Sequence, residues 1–330
     1  MKQFLQKKAK LVFLCMLVLL TCTACANPRG RDGKTLADQI IASEETTIDA
    51  SKINYKDISD KELKKEIKKN IKDGEYTIQP TTFKDSMSKG WFEGLIVWPI
   101  AQIINLISSK TDAGVGIILT TLLIQMLVFV FTRKSQMSAQ RLQEIQPEIQ
   151  KIQNKYKDKT DERSKMQMAQ EMQNMYQKYD VHPLGSMLIT FIQLPIMMGM
   201  YYATMRSVSV VSGSFMGISL AGTPLDGFKA LDIAYIAIYV LMVIFYIVSM
   251  KLPQWLKKWQ DKKDNVKVKK YAQEETNPMA NSMNMSVYFM TAMICIMYIS
   301  WPMAMSFYWL VSSVIRVCQS LILHQVMNKK

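Results

Sequence analysis

The stretch AMSFYWLVSSVIRVCQSLIL, residues 304 to 323, is long and apolar enough to cross a membrane, yet it carries an arginine. A hydrocarbon core requires about 20 consecutive apolar residues in a helix, and this stretch has that length. A permanently charged side chain at such depth costs at least about 3 kcal/mol on insertion scales. Arg316 therefore indicates a functional site inside a membrane span.

Four other stretches share this apolar character, so the sequence predicts a membrane protein with several spans. The chain has 330 residues, of which 49% are hydrophobic, 26 are methionine and only 10 are proline. This composition favours long apolar helices over two soluble domains, and hence an all-α fold. The predicted spans are 113 to 131, 184 to 205, 233 to 250, 285 to 301 and 304 to 323.

A further apolar stretch, residues 91 to 109, is predicted to lie along the outer membrane surface without crossing the membrane. Polar side chains recur on it at helical spacing, and Pro99 interrupts it. This pattern is typical of an interfacial amphipathic helix. The polar residues are Gln102, Asn105 and Ser109.

Residues 1 to 25 have the layout of a signal peptide, with a basic start and an apolar run too short to span comfortably. The run ends in Cys22-Thr23-Ala24-Cys25, which resembles a bacterial lipobox, although leucine is usual where Cys22 stands. In a lipoprotein the cysteine at the end of the lipobox, here Cys25, becomes the N-terminus and carries fatty acids such as palmitate. The alternative is an uncleaved signal anchor. Either way, the chain after residue 25 begins outside.

The charge distribution gives an independent check, because loops rich in Lys and Arg stay in the cytoplasm. Segment 133 to 180 holds ten basic and seven acidic residues, and segment 251 to 282 holds eight and four. Segments 26 to 112 and 206 to 232 are balanced and are predicted to lie outside. The net charge of +14 therefore follows from the topology, with the tail 324 to 330 in the cytoplasm, and no DNA-binding patch is needed.

The outer segment 26 to 90 is predicted to be a polar tether that carries one short helix. Its stretch SDKELKKEIKKNIKDG has a capping box from Ser59 to Glu62 and a terminating Gly74.

The inner segment 133 to 180 is predicted to form a cytoplasmic helical hairpin. Apolar residues recur at steps of three and four in both of its halves, and the stretch YKDKTDE separates them with a polar turn. Thr160 is a candidate N-cap of the second helix. The alternative is a pair of helices that lie on the lipid surface. The two apolar stripes are Leu142, Ile145, Ile149, Ile152 and Tyr156, and Met168, Met172, Met175 and Tyr179.

Three long stretches resemble the YidC family of membrane protein insertases. They are QRLQEIQPEIQKIQNKYKDK at 140 to 159, QNMYQKYDVHPLGSMLITFIQLPIM at 173 to 197 and WPMAMSFYWLVSSVIRVCQS at 301 to 320. The resemblance implies a five-span core with a lipoprotein-type N-terminus that places newly made proteins into the membrane. It also implies a polar groove that is open to the cytoplasm and to lipid, which receives the hydrophilic segment of a client.

The resemblance places a groove arginine in the first core span, but this chain has Gln125 there. We expect Arg316 to replace it. Gln125 lies eight residues before Arg133, and Arg316 lies eight before His324, so both sit about 12 Å from the inner boundary at 1.5 Å per residue.

Polar residues at helical spacing on three spans could line this groove. Arg316 favours that interpretation because the five predicted spans contain no Asp, Glu or Lys to pair with it. The alternative is that these residues only pack or bond between helices, as Ser, Thr and Gln often do in membranes. Tyr308 and Trp309 are candidates either for client contact or for packing. The candidate groove residues are Thr121, Gln125, Ser186, Thr190, Gln193, Ser312, Ser313, Arg316, Gln319 and Ser320.

Other function classes are disfavoured. A membrane protease would need paired aspartates or a Ser with a His within the spans, but the predicted spans contain no Asp and no His. A transporter would show internal repeats, and the sequence shows none. No metal-ligand spacing or cofactor motif is present, so neither an enzyme nor a metal site is predicted. The alternative to an insertase is a lipid-anchored assembly scaffold without groove activity. The expected partners are nascent membrane proteins, the lipid bilayer and the ribosome or targeting machinery, with the Sec translocon as a further candidate.

Overall fold

The computed structural model describes residues 28–157, 159, 161–181, 183–263, 289, 291–293 and 295–328. They are mostly helical, which confirms the predicted all-α class. Residue contacts divide the chain into two compact units. The first unit comprises the residues up to Thr120 together with Gln193–Ala221, and the second comprises Thr121–Ile192 and the residues from Gly222 onward.

The elements are named in chain order. The helices are α1 (Lys61–Asn70), α2 (Phe83–Lys89), α3 (Trp98–Ser108), α4 (Ala113–Glu144), α5 (Gln146–Lys155), α6 (Glu162–Lys178), α7 (Pro183–Arg206), α8 (Val208–Ser212), α9 (Pro224–Ala230), α10 (Ile233–Lys263) and α11 (Met303–Asn328). The strands are β1 (Thr35–Leu36), β2 (Thr46–Asp49), β3 (Ile53–Asn54), β4 (Glu75–Ile78), β5 (Ser214–Phe215) and β6 (Ile218–Ser219).

Three of these helices, α4, α10 and α11, are long and apolar enough to cross a membrane. Each contains one predicted span, but α4 and α10 continue well beyond the predicted ends at residues 131 and 250. Charged residues follow each apolar run, and they do not stop the helix. In the second unit α10 packs along α11.

The remaining two predicted spans are covered less fully by the structure. Span 184 to 205 corresponds to α7, although most side chains in its first half lie outside the described residues. Much of span 285 to 301 also lies outside them, and the residues described between 289 and 298 are helical. The five-span count therefore stays a prediction.

The outer segment is more structured than the tether predicted from its polar composition. Strands β2 and β4 pair antiparallel, and β1 pairs parallel with β3. Helix α1 is capped by Asp60, whose side chain accepts hydrogen bonds from the main-chain N–H groups of Glu62 and Leu63, and not by Ser59. Scattered isoleucines form the core of this segment, together with α8 of the same unit: Ile40, Ile48, Ile53, Ile58, Ile67, Ile78, Val208 and Val211.

The polar face of the predicted surface helix is bonded to protein. A π-helical turn, Glu93–Val97, leads into α3. Asn105 Nδ2 donates to the main-chain oxygen of Ile41 at 2.9 Å, and Gln102 Nε2 donates to that of Ala42 at 3.2 Å. Leu95 and Leu106 are exposed, as expected of a face that meets lipid. Helix α3 therefore joins the outer segment through the polar stripe that predicted an amphipathic surface helix.

The inner segment forms a hairpin from α5 and α6, whose apolar stripes pack against each other. Ile145, Ile149 and Met175 form its buried centre with Val181. This packing favours the hairpin over two helices lying separately on lipid. Thr160 lies outside the described residues, and the N-cap of α6 is Asp161, whose carboxylate accepts from the main-chain N–H of Ser164 at 2.8 Å.

Candidate functional site

Helix α11 presents a polar face within the second unit. Ser312 and Ser313 are completely buried, Gln319 and Ser320 are nearly so, and Arg316 is half-buried. Residues three and four apart lie on one side of a helix, so these five side chains share a face as predicted.

Helix α4 contributes to the same site. Gln125 is 7% exposed, and its Nε2 donates to Ser312 Oγ at 3.3 Å. Thr121, one turn earlier, is fully buried. The polar residues predicted on the first and last spans are therefore brought together, and the amide of Gln125 contacts α11 one turn away from Arg316.

The guanidinium of Arg316 lies against the ring of Trp309. Its Cζ lies 5.7 Å from the centre of the Trp309 ring, a cation–π distance, and its Nε makes a long 3.4 Å hydrogen bond to the Ser312 main-chain oxygen. Trp309 stacks on Tyr298, with ring centres 4.9 Å apart, and meets Tyr246 edge-on. No carboxylate of the described residues lies within ion-pair distance of Arg316.

Several polar atoms on this face have no hydrogen-bond partner within the part of the chain that the structure describes. They are Trp309 Nε1, Ser313 Oγ, Arg316 Nη2 and Ser320 Oγ. Their positions step by four, three and four, so they form one row along three turns of α11. The row can donate and accept hydrogen bonds that these residues do not supply to one another.

Sequence comparison with known proteins identifies the family of this chain. The family model of the 60Kd inner membrane protein matches residues 105–330. Membrane protein insertase YidC 1 of Streptococcus pyogenes is 30% identical over 237 residues, which cover 72% of this chain and 75% of that protein. The chain belongs to the YidC family.

Further relatives carry the same kind of name. Membrane protein insertase YidC 1 of Listeria monocytogenes is 30% identical over 257 residues, covering 77% of this chain and 78% of that one. Membrane protein insertase MisCA of Bacillus subtilis is 28% identical over 238 residues, with coverages of 72% and 80%. YidC-family insertases are not enzymes, and membership supports an insertase function in the membrane for this chain.

The inner end of the site contains residues that the sequence analysis did not single out. Gln140 Nε2 donates to the Ser320 main-chain oxygen at 3.4 Å, and Glu144 Oε1 lies 3.8 Å from His324 Nδ1. Both α4 residues were assigned to the hairpin because they follow the first charged residues. Thr132, Gln136 and Gln140 recur at every fourth position, and this spacing could have indicated that the polar stripe continues.

The polar residues predicted on the second span remain candidates. Ser186 and Thr190 belong to α7, but their side chains lie outside the described residues. Gln193 is half-buried on the same helix. Their place in a groove with Arg316 stays a prediction of the YidC-family resemblance.

Proposed function

We propose that the polar face of α11, together with α4, lines a hydrated groove through which this YidC-family protein inserts nascent membrane proteins. The row of unpartnered polar atoms at positions 309, 313, 316 and 320 carries this proposal. Each buried polar group without a partner costs about 1–3 kcal/mol. A row of four is tolerated where water, or the polar segment of a client, completes the bonds.

A packing role alone explains the row less well. Ser and Gln in membrane helices commonly bond a neighbouring helix, and the bond from Gln125 to Ser312 is of this kind. Ser313 and Ser320 are not so bonded among the described residues. A hydrated groove therefore explains why the hydroxyls of Ser313 and Ser320 are not bonded to a neighbouring helix among the described residues.

Arg316 supplies the positive charge of the proposed groove. The family resemblance places an arginine where Gln125 stands, and Gln125 bonds to the residue one turn before Arg316. Moving the charge from α4 to the neighbouring turn of α11 preserves the electrostatic field in the same region. A guanidinium against the Trp309 ring keeps its charge and leaves its unpaired donor free for a client oxygen.

The test is insertion of a single-span client into vesicles that contain the purified chain, read by protease protection. Arg316→Ala should reduce insertion by about tenfold, because one strong electrostatic contact is worth that much. Adding Gln125→Arg should restore most of the activity. Cys318→Ala, on the exposed side of the same helix, is the matched control and should insert normally. Full activity of Arg316→Ala would refute the groove charge.

We infer that the N-terminus is anchored by lipid on Cys25 and that the C-terminus lies in the cytoplasm. Cys25 and the signal region lie outside the described residues. The small residues before Cys25 and the Lys-rich inner segments support this topology. Metabolic labelling with a radioactive fatty acid should disappear in Cys25→Ser, and labelling that persists would contradict the anchor.

We infer that the hairpin of α5 and α6 contacts the translating ribosome or the targeting machinery. Its tip forms a polar cleft between the two helices, in which Lys155 and Lys159 lie over the ring of Tyr156. The Sec translocon is a second candidate partner at the membrane. Deleting residues 146–178 should impair co-translational insertion of clients, and normal insertion by the deleted chain would refute the role.

A further inference from the structure

The inner continuation of α10 has the composition of a membrane-surface helix. The helix runs over 31 residues, from Ile233 to Lys263, and is therefore about 46 Å long at 1.5 Å per residue. A hydrocarbon core of about 30 Å takes up only some 20 of them. About three turns thus emerge from the apolar part of the bilayer, and these are residues 251–263.

The apolar residues of this continuation form one face. Leu252, Trp255, Leu256 and Trp259 recur at i, i+3, i+4 and i+7, which places them on a single stripe. Trp255 is 49% exposed and Trp259 is 62% exposed, so a large part of each indole is free to contact lipid. Tryptophan at this depth is typical of the membrane–water interface, where its ring meets lipid and its N–H meets headgroups.

Three of the five lysines lie along one edge of that stripe. Lys251, Lys258 and Lys262 are spaced i, i+7 and i+11, which brings them to one side of the helix beside Trp255. Lys258 and Lys262 are exposed, and the Nζ of Lys263 lies 5.6 Å from the Trp259 ring. The stretch contains five lysines and a single acidic residue, Asp261, so its net charge is +4.

We propose that residues 251–263 bind anionic lipid headgroups, with the two tryptophans at the level of the acyl-chain boundary and the lysine edge on the phosphates. The observations favour lipid over RNA as the occupant. Trp255 lies only about 7 Å along the helix from Met250, the end of the predicted span, so the indoles are carried at the bilayer surface. Pro253 removes one backbone hydrogen bond at this junction and allows the helix to bend toward the surface.

Such a segment would select lipids by charge. Lysines held within a Debye length of an anionic surface strengthen binding, and added salt weakens it. The groove chemistry of Arg316 plays no part in this site, which lies elsewhere on the chain. The proposal therefore stands or falls independently of the groove.

The experiment measures lipid binding to the detergent-solubilised full-length chain by intact-complex mass spectrometry. The unaltered chain should bind phosphatidylglycerol about tenfold more tightly than phosphatidylcholine. The double variant Lys258→Gln/Lys262→Gln should lose most of this preference, whereas Lys258→Arg/Lys262→Arg should keep it. Lys157→Gln/Lys165→Gln in the hairpin removes the same charge from exposed positions and should leave the preference unchanged.

A second measurement locates the indoles. In vesicles that contain brominated phosphatidylglycerol, the bromine should quench the fluorescence of Trp255 and Trp259. This quenched part of the emission should be absent from the double variant Trp255→Phe/Trp259→Phe. Equal affinity for the two lipids, or an equal loss in the hairpin control, would overturn the proposal. If Lys258→Gln/Lys262→Gln loses binding to a short RNA duplex but keeps its lipid preference, the segment is an RNA site and the proposal is wrong.

Discussion

Helices α3 and α11 both carry a row of polar residues on an otherwise apolar surface, but the two rows have different partners. Asn105 of α3 donates to Ile41 and accepts from Ser207 Oγ at 2.6 Å, and Gln102 bonds to main-chain oxygens. In the row of α11, Ser313 and Arg316 keep polar atoms that no described residue bonds. The same sequence pattern thus bonds one helix to the rest of the protein and leaves polar atoms of the other helix without a bond from a described residue.

The difference lies in what packs against each row. In the first unit the segment around Ile41 is extended, so its main-chain groups are free to meet side chains and to bond with Arg206 and Val208. In the second unit α11 packs against another helix, α10, whose main-chain groups are already used internally. The row on α3 is therefore closed by extended backbone, whereas four polar atoms in the row on α11 receive no bond from a described residue.

The largest effect on folding is expected for Asn105→Leu. This change removes three hydrogen bonds and leaves the fully buried Ser207 hydroxyl without its acceptor. The loss should be about 2–4 kcal/mol of unfolding free energy. Faster hydrogen exchange at the Ile41 and Val208 amides, measured on the full chain, would report it. Ser109→Ala, at the exposed end of the same row, should change stability by less than about 0.5 kcal/mol.

A smaller loss is expected for Ile149→Ala in the hairpin. Ile149 is buried between the two stripes, but the hairpin has a small core that can collapse after the change. We expect a local loss near the lower end of the range for such truncations, about 2 kcal/mol. Hydrogen exchange in α5 and α6 should accelerate while that of α11 does not. Equal acceleration in α11 would show that the hairpin does not fold as a separate element.

How far the sequence predicts this molecule depends on the kind of contact. Apolar runs predicted α4, α10 and α11, and heptad-like spacing predicted both hairpin stripes, because these signals come from burial alone. The outer segment was underestimated because its isoleucines are scattered among lysines, and they meet only after the chain folds back. Helical spacing placed Ser312 and Arg316 on one face of α11, but spacing cannot tell whether a polar atom finds a partner. That is why the protein partners of the polar stripe on α3 were not predicted.

The two serines that begin the polar face of α11 give a paired test of the comparison. Ser312→Ala breaks the bond from Gln125 and should cost about 0.6 kcal/mol, the usual value between membrane helices. Ser313→Ala removes a hydroxyl that has no partner among the described residues, so stability should stay the same or rise slightly. The measurement is unfolding in mixed detergent micelles. A larger loss for Ser313→Ala would show that this hydroxyl is bonded within the protein.

The smallest effect concerns Tyr179 at the base of the hairpin. Desolvation, and then the hydrogen bond to Glu148, raise the pKa of its phenol to about 12. Since the folded pKa exceeds the ordinary value of 10, this contribution to stability is complete below pH 10 and is lost as the pH rises toward 12. A titration of phenolate absorbance in Tyr179→Phe should therefore lack one of the late-titrating tyrosines of the unaltered chain. An unchanged titration would contradict the buried hydrogen bond.

Water access to the row on α11 tests the central claim most directly. In a chain whose other cysteines are replaced, Arg316→Cys and Ser320→Cys should react with a small, charged thiol reagent, because a thiolate forms only where water reaches it. Val314→Cys and Leu321→Cys, on the exposed apolar side of the same helix, should remain unlabelled in the bilayer. Labelling of the first pair well above the second is the result that a hydrated groove predicts. Equal protection of all four positions would contradict it.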